Sequence, residues 1–142
     1  MKDMASLKRV DGLPTWLLSR ANARAQAILH DAFGRAGVRG YHFRVLAALE
    51  EFGPVSQANL GRRTGIDRSD IVATLNDLVV KDLVSRAPDS NDRRQNVVTI
   101  TRPGEEMLRR LDVALTEVQD VVLEPLNDRE RATLIRLLAK LG

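Results

Sequence analysis

The chain contains no cysteine. That excludes a disulfide scaffold, a thiolate metal site, a cysteine nucleophile and a thiol-based oxidant sensor together. It has only two histidines, His30 and His42, which fall in different predicted helices. With so few ligating groups there is no metal-binding cluster and no nucleophile beside a base, and no glycine-rich phosphate loop is present either. An enzyme is therefore not expected, and neither is a cofactor. No apolar run approaches bilayer length, and residues 1–10 lack the apolar core of a signal peptide. The expectation is a cytoplasmic protein with no membrane partner.

What the chain does have is the length of one ordinary domain, 142 residues, enough to bury roughly two-thirds of its unfolded surface. Its net charge of +3 leans toward polyanionic partners. The excess is not concentrated, however. Residues 56 to 100 carry 7 basic and 6 acidic side chains, so charge alone describes a solvated face with scattered ion pairs. Position says more than sum: Arg62, Arg63, Arg68, Arg86, Arg93 and Arg94 cluster around one short stretch.

Helical periodicity predicts a first helix opened by Pro14 and followed by Leu17, Ala21, Ala25, Ile28, Leu29 and Ala32, with Gly34 and Gly37 at its end. A second runs from about Gly40, with Val45, Leu46, Leu49 and Phe52 on one face, and stops at Gly53-Pro54. Ser56 is placed to cap a third helix over residues 57–64, and Gly65 to end it. Asp67 caps a fourth, with Asp70 as its partner in a box-like start. Ile71, Leu75 and Leu78 form that helix's buried stripe, widened by Val72 and Val79.

Residues 83–87 and 96–101 are short, β-branched and separated by Pro88 and a polar tip, Asp89-Ser-Asn-Asp92-Arg93-Arg94, which predicts a hairpin. Thr101 caps a fifth helix carrying Leu111, Leu115, Val118 and Val122, and Asn127 with Glu130 caps a sixth carrying Leu134, Leu137, Leu138 and Leu141. Helix, turn, helix, strand, charged loop, strand is the order of a winged helix-turn-helix. Such a unit offers one helix to the major groove and a basic loop to the flanking backbone or minor groove. On the fourth helix, Ser69, Ala73 and Asn76 point away from the stripe and, with Arg68 at the entrance, would meet base edges. The second possibility is a winged-helix module that binds protein instead of DNA, which the near-neutral charge of residues 56 to 100 would suit.

The segment Asp92-Arg-Arg94-Gln-Asn-Val-Val-Thr-Ile100-Thr101, with Leu83-Val84 before it and the helix-turn-helix upstream, resembles the wing of the MarR family, the multiple-antibiotic-resistance type of winged-helix regulators. The resemblance covers nearly the whole chain. It implies a mainly α fold with a small β-hairpin wing and long N- and C-terminal dimerisation helices. Residues 1–142 would be one such domain, with a lobe over about 40–101 and dimerisation helices over about 10–34 and 102–142. It also implies a homodimer, hence an inverted-repeat operator with half-sites about one helical turn apart, and repression as the commoner mode. The terminal helices, with Leu13, Trp16, Leu17, Leu134, Leu138 and Leu141, are more apolar than a lone lobe needs; otherwise they cap a monomeric core.

By the same resemblance Arg94 enters the minor groove, braced by Asp92 through a charge-assisted hydrogen bond; the alternative is an ion pair that only shapes the tip. Arg93 is assigned to phosphate. Gln57, Arg62, Arg63 and Lys81 are further phosphate candidates, or ordinary polar surface. Ala73 stands where relatives carry a polar or basic residue, which predicts thin base readout and strong dependence on phosphate contacts and DNA shape. Asp70 is assigned to the helix dipole more readily than to cytosine. Asp82 occupies the place of a turn glycine. Relatives often bind small aromatic or anionic molecules that release DNA. Trp16, Arg20 and His42 are the candidates here, against the plainer roles of dimer core, surface charge and helix-face polar group.

Overall fold

A computed structural model describes residues 7–142; the part of the leader reading that concerns residues 1–6 lies outside the described residues. The element order is α1 (Pro14–Arg35), α2 (Gly40–Phe52), β1 (Val55–Ser56), α3 (Gln57–Thr64), α4 (Arg68–Val80), β2 (Val84–Pro88), β3 (Asn96–Ile100), α5 (Arg102–Val122) and α6 (Asp128–Leu141). Mostly helical with a small antiparallel sheet, it is a winged helix-turn-helix with long flanking helices.

Capping sets most boundaries. The hydroxyl of Ser56 accepts from the Asn59 N–H at 3.2 Å and that of Thr101 from the Gly104 N–H at 3.1 Å. Each satisfies an amide the first helical turn leaves unpaired. At α6 the box is reciprocal: Asn127 Oδ1 accepts from the Glu130 N–H, and Glu130 Oε1 accepts from the Asn127 N–H. The tight turn between α3 and α4 passes through Gly65 at φ +68, a left-handed backbone that a side chain would strain.

The core lies under α4. Leu46, Leu60, Leu75, Leu78 and Val98 are fully buried, joined by Val45, Leu49, Ile71, Val84 and Leu108. Each such side chain contributes about 1.5–3 kcal/mol of burial. The sheet, in the order β1-β3-β2, closes this core on the wing side, with Val55 opposite Val98 and Val84 opposite Ile100. α5 leaves the lobe with Leu108 and Leu111 still buried. At its far end Arg24 of α1 forks onto the carbonyls of Val122 and Val121 at 2.7 and 3.0 Å, bringing a cation to the negative end of the helix. Arg131 of α6 donates to the Leu126 carbonyl and to Asp120, both at 3.2 Å.

Several details depart from the sequence reading. The sheet has a third strand, β1, whose two residues are too few to carry an alternation pattern. The wing strands run one residue later at β2 and stop one earlier at β3 than predicted. Val72 and Val79 do not widen the stripe; both are exposed, and Thr74 takes the inward position between Ile71 and Leu78. Phe52 leaves the packed face of α2 and lies half-exposed under the Arg63 guanidinium, 4.3 Å from ring centroid to Cζ. The start of α4 is not a reciprocal box, because the Asp70 carboxyl faces that of Asp67 rather than an amide. α1 and α6 bury no residue in the single chain.

Candidate nucleic-acid interface

Asp67 fixes the entrance of α4. Its Oδ1 accepts from the Asp70 N–H at 2.9 Å and from the Ser69 hydroxyl at 2.8 Å. These bonds hold the Asp67 carboxyl below its usual range, and the same carboxylate pushes that of Asp70 upward. With its proton committed to Asp67, the Ser69 hydroxyl faces solvent as an acceptor. Ser69, Ala73 and Asn76 are all exposed along one side of α4, opposite Ile71, Thr74, Leu75 and Leu78.

The wing tip is shaped by two aspartates. Asp89 accepts from the Asn91 N–H at 2.9 Å. Asp92 Oδ1 takes both the Arg94 N–H and its Nε at 3.1 Å, while Oδ2 receives Nη2 at 3.4 Å. The Arg94 side chain and backbone amide hold the Asp92 carboxyl low. The Arg94 side chain is nevertheless 91 % exposed, so the guanidinium is oriented by the protein yet open to a partner. Arg93 beside it is exposed as well.

Between wing and helices runs a groove of about 780 Å³ whose walls include Gln57 and Arg62 of α3, Arg68 of α4, and Arg94, Gln95 and Asn96 at the tip of the wing. Three arginines on three separate elements thus border one concave surface. In it the Gln57 Oε1 is buried without a hydrogen-bond partner. Gln95 and Asn96 carry no individual signal in the sequence beyond being adjacent polar residues where the tip meets β3. Arg62 also hydrogen-bonds Asn59 on its own helix.

Other sequence candidates lie elsewhere. Arg63 stacks on Phe52, and Lys81 is exposed just past the end of α4. His42, expected on a helix surface, is buried at 4 % exposure. Its Nδ1 accepts from the Arg39 N–H at 3.0 Å, so the proton sits on Nε2, 3.5 Å from Asp77 Oδ2. Burial lowers its pKa against the opposing pull of Asp77. Both ring nitrogens are engaged within the lobe, so His42 serves the start of α2 rather than an open pocket. Trp16 and Arg20 sit on α1, Trp16 half-buried with its Nε1 unpartnered and Arg20 exposed. Arg86, one of the six arginines whose positions stand out in the sequence, donates from Nη2 to Asn76 Oδ1 at 2.8 Å.

Comparison with known proteins settles the class. The chain is 30% identical over 125 residues, 88% of its length and 79% of the relative's, to the HTH-type transcriptional repressor NicR of Pseudomonas putida. It belongs to the MarR family. The family's pattern matches residues 36–95, the stretch holding α2, the helix-turn-helix, β2 and the wing tip. The crystal structure of a probable transcriptional regulator from Pseudomonas aeruginosa superposes with a TM-score of 0.83 at 32% identity, covering 94% of this chain and all of that one. BpsR of Bordetella bronchiseptica, whose DNA binding is regulated by 6-hydroxynicotinic acid, superposes at 0.79 with 26% identity, over 92% and 93% of the two chains. This MarR-family protein is a DNA-binding transcriptional regulator, and the protein-interaction alternative finds no support. No helix among the described residues is long and apolar enough to cross a membrane, and no group of three His, Cys, Asp or Glu side chains among them could hold a metal ion.

Proposed function

We propose that two copies of this chain bind an inverted-repeat operator and repress transcription, with α4 in the major groove and the wing reaching the adjacent minor groove. The observation that carries this is the shared groove: Arg62, Arg68 and Arg94 border one surface continuous with the exposed side of α4. Gln57, Arg62, Arg68 and Arg93 contact phosphate, Arg94 enters the minor groove, and Ser69, Ala73 and Asn76 face base edges. Arg63 and Lys81 are more distant phosphate contacts. The lobe 40–101 reads DNA and the flanking helices pair the two chains. Pairing is supported by Leu13, Leu17, Leu18, Leu137, Leu138 and Leu141, which are 43–72 % exposed in a single chain and form more uncovered apolar surface than a monomer usually presents.

A small hydroxylated aromatic carboxylate is the proposed effector class, because BpsR responds to such a molecule. On this chain its binding falls to Trp16 and Arg20 on α1, without the His42 ring. Such a ligand releases DNA only if it binds the free form better than the bound one. The test is selection of duplexes from a random library, then titration of the recovered site against salt. A palindromic motif is expected, with affinity falling roughly 10³-fold between 50 and 200 mM salt. No recovered motif, or a flat salt dependence, contradicts the reading. Addition of 6-hydroxynicotinic acid is expected to weaken the complex, and Arg20→Ala to blunt that response.

A further inference from the structure

The contact between Arg86 on β2 and Asn76 on α4 has a consequence for base readout, and the argument rests on the DNA-binding reading above. A carboxamide normally reads adenine with both ends, its oxygen accepting from N6 and its nitrogen donating to N7. Here the oxygen is turned toward Arg86, accepting from its Nη2 at 2.8 Å. The orientation follows from chemistry: a guanidinium carries five donors and no acceptor, so only Oδ1 can face it. The Asn76 amino group is thereby turned the other way. Asn76 lies seven residues after Ser69 and three after Ala73, on the same exposed side of α4. Arg86 is half-buried on a strand paired through Val98 to the core sheet, so it holds the carboxamide from a fixed support.

We propose that Arg86 is a positioning residue that converts Asn76 from a two-ended adenine reader into a pure donor, selecting guanine at one position of each half-site. Guanine offers O6 and N7 as adjacent acceptors in the major groove, whereas adenine sets its N6 donor beside N7. The specificity of α4 at that base therefore depends on a strand residue that need not touch the base.

The test is duplex selection with the full-length wild-type protein, Asn76→Ala, Arg86→Met and Arg86→Lys, followed by affinity for the selected site and its guanine-to-adenine variant. In the wild type that change is expected to weaken binding roughly tenfold. Asn76→Ala removes the preference at that position alone. Arg86→Met moves it to adenine, or abolishes it, with the other positions unchanged. Arg86→Lys keeps guanine, because an ammonium also has only donors. A purely structural Arg86 would lower affinity evenly without moving one base, and that pattern would overturn the inference. So would a wild-type motif with adenine where Asn76→Ala has its effect, or an Asn76→Ala motif identical to the wild type. Failure to recover any motif from the wild type would instead overturn the DNA-binding reading, and this inference with it.

Discussion

The lobe and the terminal helices solve the problem of apolar surface in opposite ways. In the lobe, Leu46, Leu60, Leu75 and Leu78 from three helices are wholly out of water, so this part of the chain completes its own core. α1 and α6 carry leucines at comparable helical spacing, yet none is buried within one chain. Similar amphipathic patterns are therefore not equal statements about packing. A stripe shows which face wants cover, not whether the same chain supplies it.

Substitutions can sharpen that contrast. The largest effect is expected in the lobe, where Leu75→Ala costs about 3 kcal/mol in urea denaturation whatever the protein concentration. Leu138→Ala, at a position 43 % exposed in one chain, instead acts mainly on chain pairing and shifts the concentration dependence of unfolding. Equal, concentration-independent losses at the two sites would break the comparison.

Next is Arg94→Ala, which removes a held but open guanidinium and is expected to cost about 1–3 kcal/mol of operator affinity with an unchanged melting curve. An unchanged gel-shift titration would take Arg94 out of the interface. Smaller again is the pH response of His42. Its folded pKa lies below the unfolded value, so the unfolded state takes the proton first. The stability this gives is fully present above about pH 6.5 and is lost as pH falls through the folded pKa. Melting temperature should therefore drop on acidification below pH 6.5. His42→Gln, which keeps an acceptor for the Arg39 amide, should flatten that slope. The smallest effect concerns Asp82, the one described non-glycine residue at positive φ, +60. Asp82→Gly is expected to raise stability by up to about 1 kcal/mol, read as a higher urea midpoint.

The fold was legible because local signals agreed. Ser56, Asp67, Thr101 and Asn127 cap the helices they were expected to cap, since capping depends on residues three or four apart. Signals that required tertiary context were lost. Nothing local distinguishes Val72, exposed, from Thr74, buried, because hydropathy ranks them the wrong way round. The β1 strand exists only because β3 lies beside it. His42 looked like a surface imidazole until Asp77 and the Arg39 amide were brought to its two nitrogens. At the proposed DNA-facing surface the arginines are visible in the sequence by type and position. The pairing of Arg86 with Asn76, ten positions apart and on different elements, follows only from the packing of α4 against β2.

In the proposed complex two lobes, held by their terminal helices, occupy one operator together. Its most direct test is the mass of the complex on a single selected duplex, measured by sedimentation at low ionic strength. Two chains per duplex are expected. One chain per duplex, or a protein that stays monomeric and binds no duplex, would contradict it.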